Sequence, residues 1–330
     1  QIEIIRGSGS SIYGPDAVGG VINIVTKSFV QSKKNNELIM QQKVGENNFH
    51  SSNLFISQNN NSRLYTTLSK HISESKGQNL YDTNDTPTFF NNRTFSFAQR
   101  YIASDRLSIM LRNSYAERYF ASKYFYTPYP TDQSNEFIKK IWSQNKIEYK
   151  LKPNSIISLN TSYQITNDTY IYNPTFPSTN ENCTELLNST IHYNYNTKTY
   201  RLATGINIQN RSMQSKDRGN HKDYYIGGFI NYITSFKRFS INPSLRLDYN
   251  TSYRLQLNPQ IDINYNNIDY NIRASAGRTI RSADFTERFS HNNTSGTLSP
   301  GRNIGNPNLN AETSLNYEIG IDVKKYKNIV

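Results

Sequence analysis

One cysteine, one tryptophan and three methionines are spread over 330 residues. A lone Cys183 excludes an intramolecular disulfide framework and any cysteine-rich metal site. The five histidines (His50, His71, His192, His221, His291) are scattered, with no i, i+4 pair of the kind that grips a metal on a helix. No run approaches the roughly 20 apolar residues that a membrane-crossing helix needs. Apolar residues are scarce overall: 35% are hydrophobic and the mean hydropathy is −0.73. A soluble domain of this length ordinarily has a richer supply for its core. Disorder is an equally poor fit, because disordered chains lack aromatics and this one has 25 Tyr and 16 Phe. An alternating transmembrane barrel escapes the conflict, since it turns only every second strand residue to lipid. The net charge of +12 is dispersed along the chain. Nucleic-acid binding needs it concentrated on one face, so no nucleic-acid partner is expected.

Period two dominates the chain. From Arg254 to Tyr265, Leu255, Leu257, Pro259, Ile261, Ile263 and Tyr265 alternate with Arg254, Gln256, Asn258, Gln260, Asp262 and Asn264. Phe239–Tyr249, Ile268–Gly277 and Ser314–Lys324 repeat the pattern. Successive strand side chains point to opposite faces, so each segment has one greasy and one wet face. From residue 36 onward about 14 such segments follow one another, most of them ~10–14 residues long. Tight connections are expected near Asn59–Asn61, Ser104-Asp105, Pro153-Asn154, Asn196-Thr197, Ser235-Phe236 and Asn266-Asn267, where Asn and Asp suit hairpin turns. Longer polar stretches alternate with them, at 73–91, 120–135, 173–185, 211–220 and 281–311; Gly45–Asn48 and Asn250–Ser252 are the short exceptions. Short turns at one end and long loops at the other is the layout of an outer-membrane barrel. A soluble sandwich or propeller also alternates, but its strands are shorter, about 5–6 residues, and need a second apolar layer.

The first residues read differently. Ile2–Gly7 is a short strand entering a turn, Ser8–Gly20 a small, polar stretch containing Tyr13-Gly14-Pro15-Asp16, and Val21–Thr26 another strand. A phosphate loop fails on spacing, because Ile12 stands where a third glycine belongs. The stretch IEIIRGSGSSIYGPDAVGGVINIVTK resembles the end of the plug domain of TonB-dependent outer-membrane receptors. Far downstream, GRTIRSADFTERF (277–289) and GNPNLNAETSLNYEIG (305–320) resemble a late barrel segment of the same family, and LNPQIDINY (257–265) is also similar. Two motifs in the right order, separated by alternating strands, are more specific than either alone.

The resemblance implies an all-β fold: a transmembrane antiparallel barrel of about 22 strands with a plugged lumen, of which this chain holds about 14. Residues 1–27 would be the C-terminal part of the plug, 28–35 a linker and 36–330 a partial barrel. The chain opens at Gln1 inside an apolar run and stops at Val330 without a stop-like feature. The expectation is therefore a piece of a longer protein, without the N-terminal box that TonB grips and without the last strands.

The resemblance also places Arg6 on the plug as a partner for barrel carboxylates. Parity turns Glu318 toward the lumen, and Glu287 lies near the outer rim, so both are candidates for that plug–barrel contact. Tyr13 is a candidate ligand contact at the plug apex. Arg246, Arg254, Arg273 and Arg281, expected in the lumen or at its rim, would favour an anionic ligand. Tyr124 and Tyr126 stand for the loop aromatics that stack on a chelate or macrocycle; such aromatics also form interface girdles. Haem ligation by His71, His221 or His291 is a further option, and Cys183 is expected to sit inert in a loop. No catalytic constellation, metal site or cofactor is expected.

The function implied is that of an outer-membrane, TonB-dependent receptor. It would actively take up a scarce ligand of iron–siderophore or cobalamin type. TonB, a small chelate ligand, the outer membrane and lipopolysaccharide would be its partners. The alternatives are a passive porin or adhesin barrel, a haem receptor of the same family, and a soluble all-β binding protein.

Overall fold

The computed structural model describes residues 2–6, 14–17, 19–26, 36–60, 63–78, 88–125, 132–173, 179–290 and 305–323. The first two strands, β1 (Ile2–Arg6) and β2 (Gly20–Ile24), pair antiparallel as a sheet of their own. The expected linker at 28–35 lies outside the described residues.

From Asn36 a 14-stranded antiparallel meander begins, each strand hydrogen-bonded to the next. In order it runs β3 (Asn36–Gly45), β4 (Phe49–Asn60), β5 (Leu64–Ser75), β6 (Phe90–Ile102), β7 (Leu107–Ala121), β8 (Asn135–Lys152) and β9 (Ser155–Ile171). It continues through β10 (Thr179–Asn196), β11 (Tyr200–Ser215), β12 (Gly219–Phe236), β13 (Phe239–Asn250), β14 (Arg254–Asn266), β15 (Tyr270–Arg281) and β16 (Glu312–Val323). β3 and β16 are the two edges, and the sheet does not close on itself. The count and the start agree with the alternation in the sequence, because the polar/apolar period is what a two-faced strand requires.

The alternation also settles the faces. On β13 and β14, Ile241, Leu245, Leu247, Leu257, Ile261 and Ile263 are exposed, while Arg246, Asp248 and Asn258 are buried. The greasy side chains do not converge on a shared interior, as a soluble sandwich would require. They form one outward surface, and the polar set faces the concavity. Among the described residues no helix is long and apolar enough to cross a membrane.

Connections alternate as expected. At one end lie the turns 103–106, 153–154, 197–199, 237–238 and 267–269, with β4 and β5 joined at the same end between Asn60 and Leu64. Three sequence expectations need correction. The loop expected at 211–220 is only the turn 216–218, and within the loop expected at 173–185 strand β10 already begins at Thr179. Strands β8, β10 and β12 reach 18 residues, beyond the expected 14. The cause is the same each time. Polar strand ends that stand clear of lipid lose their apolar alternation and read as loop, although the hydrogen-bond ladder continues through them. Cys183 is therefore on β10, paired with Asn167 and Gln214, and not in a loop. A short helix, α1 (Phe285–Phe289), also lies within 282–311.

Candidate functional site

Two stretches widely separated in sequence meet on the concave face. The Asp16 backbone N–H donates to the Ile280 carbonyl at 2.9 Å, and its carboxylate accepts from the Ser282 N–H at 2.9 Å. Asp16 holds φ = 79° here, a left-handed geometry that Asp tolerates better than most residues. Gly14 is buried with φ = 103°, and a Cβ at this position would lie 3.8 Å from Arg246 Nη2. Across the lumen, Arg112 on β7 reaches Thr26 Oγ1 at 3.4 Å. The segment around β1 and β2 thus touches the wall at β7, β13 and β15. It lies within the curve of the sheet.

Beneath Gly14 the wall is built from charge. Arg246 and Asp248, two residues apart on β13 and so on the same face, are both 0% exposed. Arg246 Nε donates to Asp248 Oδ1 at 2.7 Å. Tyr225 on β12 donates its hydroxyl to Asp248 and accepts from Arg246. Asn258 on β14 donates to the other Asp248 oxygen at 2.8 Å. Gly227 makes this possible, because a Cβ there would collide with Tyr225, Asp248 and Arg246. Burying an ion pair costs several kcal/mol of lost hydration; the extra hydrogen bonds from Tyr225 and Asn258 offset it. The network continues to Arg278. The β14–β15 ladder stops at the Gln260/Gly277 pair. Beyond it, the Arg278 guanidinium crosses the gap to the Leu257 carbonyl (2.7 Å), Asn258 Oδ1 (2.9 Å) and Gln256 Oε1 (2.7 Å).

The rim above is a second clamp. Arg281 binds Glu287 at 2.7 Å and Glu312 at 2.8 Å. Asp284 caps α1 in a reciprocal capping box with Glu287. The Arg281 guanidinium, followed by the Asp284 backbone N–H, holds the Glu287 carboxyl below its ordinary range. Gly305 and Asn306 return to α1 through Gly305 N–H to the Ser290 carbonyl (2.6 Å) and Asn306 N–H to the Glu287 carbonyl (3.0 Å). Arg288 leaves α1 inward to Asp223 on β12 (2.9 Å), which Arg211 also approaches at 3.3 Å. His221 stacks on Phe289 with ring centroids 3.4 Å apart.

The sequence candidates distribute as follows. Arg246 faces the lumen, but buried beneath Gly14 and salt-bridged. Arg273 sits beside Asp322 (2.6 Å) and Glu318 (3.8 Å), so both Glu318 and Glu287 have arginine partners on the barrel. Arg254 is exposed at the start of β14, with φ = 64°. The Tyr124 N–H is anchored on the buried Asp132 carboxylate at 3.0 Å, and Lys123 lies over its ring. The side chain of Arg6, and all of Tyr13, Tyr126 and His291, lie outside the described residues. His71 bonds Asn53 at 2.5 Å. Among the described residues no group of His, Cys, Asp and Glu is placed to hold a metal ion.

Sequence reasoning missed Asp248, Tyr225, Asn258, Asp223 and Arg288. Asp248 was within reach, as the residue two along from Arg246. The Asp223–Arg288 pair spans 65 positions and carries no local signal.

The described geometry agrees with known proteins. Residues 40–328 match the family model described as TonB dependent receptor-like, beta-barrel. The siderophore receptor PirA from Pseudomonas aeruginosa superposes with a TM-score of 0.74 at 15% identity, over 98% of this chain and 59% of that one. PirA from Acinetobacter baumannii gives 0.76 at 16%, over 98% and 55%. The ferric enterobactin receptor PfeA from Pseudomonas aeruginosa gives 0.76 at 14%, over 98% and 56%. The chain thus spans little more than half the length of these structures, and at such identities the likeness speaks for the fold. No curated protein sequence matches the chain. The family match covers almost the whole sheet and includes the clamp just described, with the docked segment preceding it: the chain belongs to the TonB-dependent receptor β-barrel family of the outer membrane.

Proposed function

We propose that the full-length protein is a TonB-dependent receptor that actively imports an iron–siderophore chelate. Residues 1–27 are the last part of its plug, 28–35 a linker and 36–330 part of its barrel. The observation that carries this reading is the clasp of Gly14 and Asp16 onto Arg246, Ile280 and Ser282. A passive porin has no reason to seat a segment inside its lumen through bonds that break and reform. A receptor driven by TonB needs such bonds. The siderophore reading over cobalamin or haem draws on the neighbours named as siderophore and ferric enterobactin receptors. In the family frame Arg6 seats the plug against the barrel, with lipopolysaccharide around the rim.

The test is uptake of radioactive iron by cells whose only receptor is the full-length protein. Import of a ferric siderophore should occur in TonB-competent cells and vanish when TonB is deleted, with surface binding unchanged. Uptake that ignores TonB would return the protein to the passive-porin class.

A further inference from the structure

The inner face carries a second charged region, opposite the clasp and of a different kind. By parity Arg100 (β6), Arg112 and Arg118 (β7), and Lys140 and Lys146 (β8) all face inward, on the side of the buried Ala98 and Met110. The register sets them in steps. Arg118 pairs with Ile138, Lys140 with Ala116, Arg112 with Gln144, and Met110 with both Arg100 and Lys146. From the Arg118 row to the Met110 row is eight residues of one strand, about 26 Å at ~3.3 Å per residue. Lys146 is neutralised by Glu148 at 2.8 Å. Among the described residues, Arg100, Arg112, Arg118 and Lys140 have no carboxylate partner. The Nε atoms of Arg100 and Arg112 are buried without an acceptor, as are those of Arg211, Arg218 and Arg288 on the other wall.

Apart from Glu148, acidic groups on this face are confined to its outer end: among the described residues of β5–β10 the other inward carboxylates are Glu136 and Asp168, hydrogen-bonded to each other, with Asp168 two strands from Arg118 in the same row. Midway down, Trp142 lies under the Arg112 guanidinium at 4.7 Å, forming an aromatic surface beside a cation. The segment within the lumen approaches this wall where Arg112 reaches Thr26 Oγ1 at 3.4 Å.

We propose that the inner wall of β6–β8 is the track along which an anionic chelate with planar aromatic rings passes the plug. Arg118 and Lys140 would receive it, and Arg112, Trp142 and Arg100 would hand it down. A ladder of unpaired cations in a low-dielectric channel focuses an anion along its length. The plug stays clasped on the far wall while the side facing β6–β8 yields. The proposal rests on the receptor reading above and adds the side of passage and the charge of the cargo.

The experiment uses the full-length receptor in TonB-competent cells, with three probes: a trianionic ferric tris-catecholate, a neutral ferric trihydroxamate and cyanocobalamin. Arg100, Arg112, Arg118 and Lys140 are changed together to Gln. Uptake of the tris-catecholate should fall at least tenfold while surface binding stays within twofold. Should the fourfold variant assemble poorly, Arg118→Glu alone should slow uptake severalfold, and Arg118→Lys should restore it. Normal uptake in these variants would overturn the track, as would equal losses of uptake and surface binding. A wild type that imports only the uncharged probes overturns the track and leaves the receptor reading standing. One that imports none of the three overturns the receptor reading itself.

Discussion

On the inner face, the wall of β11–β16 matches nearly every arginine to a carboxylate: Arg211 and Arg288 to Asp223, Arg246 to Asp248, Arg273 to Asp322, Arg281 to Glu287 and Glu312. On the wall of β5–β9 the arginines stand unmatched. Both walls come from the same alternating strands with the same outward face, so the fold does not dictate the difference. Where charges are paired and buried, the wall is a seat for the clasped segment. Where they are unpaired, it remains available to a mobile anion. One open sheet thus carries a charge-paired flank and an unpaired one.

The comparison breaks most forcefully at Asp248. Asp248→Ala leaves Arg246 buried without its counter-charge, and such one-sided removal costs on the order of 3–5 kcal/mol. Denaturant unfolding of the full-length receptor should show it, and Arg246→Met with Asp248→Leu should recover most of the loss. Gly227→Ala is next. Its Cβ invades the space of Tyr225 and Asp248, and overpacking of this kind costs about 1–3 kcal/mol. Asp16→Ala removes the acceptor of the Ser282 N–H. It should speed hydrogen exchange at 280–282 severalfold while global stability changes little. On the other flank, Arg118→Gln should move stability by less than about 0.5 kcal/mol, as for an unpaired surface residue. An effect as large as that at Asp248 would erase the distinction between the walls.

The smallest expected effect is with pH. Glu287 has its folded pKa lowered by Arg281. Its contribution is therefore present above its ordinary value of 4.5 and fades as pH falls through the lowered one. Because the group is exposed, the loss should stay local. Proteolysis within 282–311 should rise below that pH while the barrel resists, and Glu287→Gln should flatten the profile.

Strand number and facing were legible in the sequence because lipid on one side and water on the other impose a strict period. The greasy set around Ile261 and the wet set around Asn258 follow directly. Strand ends were not legible: Glu181–Glu185 and Arg211–Ser215 are mostly polar, with Met213 alone against four polar neighbours in the second, and nothing in the pattern separates ladder from loop. The clasp was half legible. The motif around Gly14 and Asp16 and the run at 280–282 stood out separately, but their contact depends on curvature that no local pattern encodes. The sequence also offered Arg246 as a ligand contact, because parity reports which face a residue takes and not what covers it.

The 18-residue strands β8, β10 and β12 have a consequence beyond the lumen. At ~3.3 Å per residue and a tilt near 45° they rise about 40 Å, against an apolar band of roughly 25 Å. The outward ends, with Lys139, Thr169, Glu181 and Lys222, therefore stand as a stiff turret above the lipid. An antibody or bacteriophage arriving from outside would meet braced scaffold well before the bilayer, and the epitopes there would keep their shape whether or not cargo is aboard.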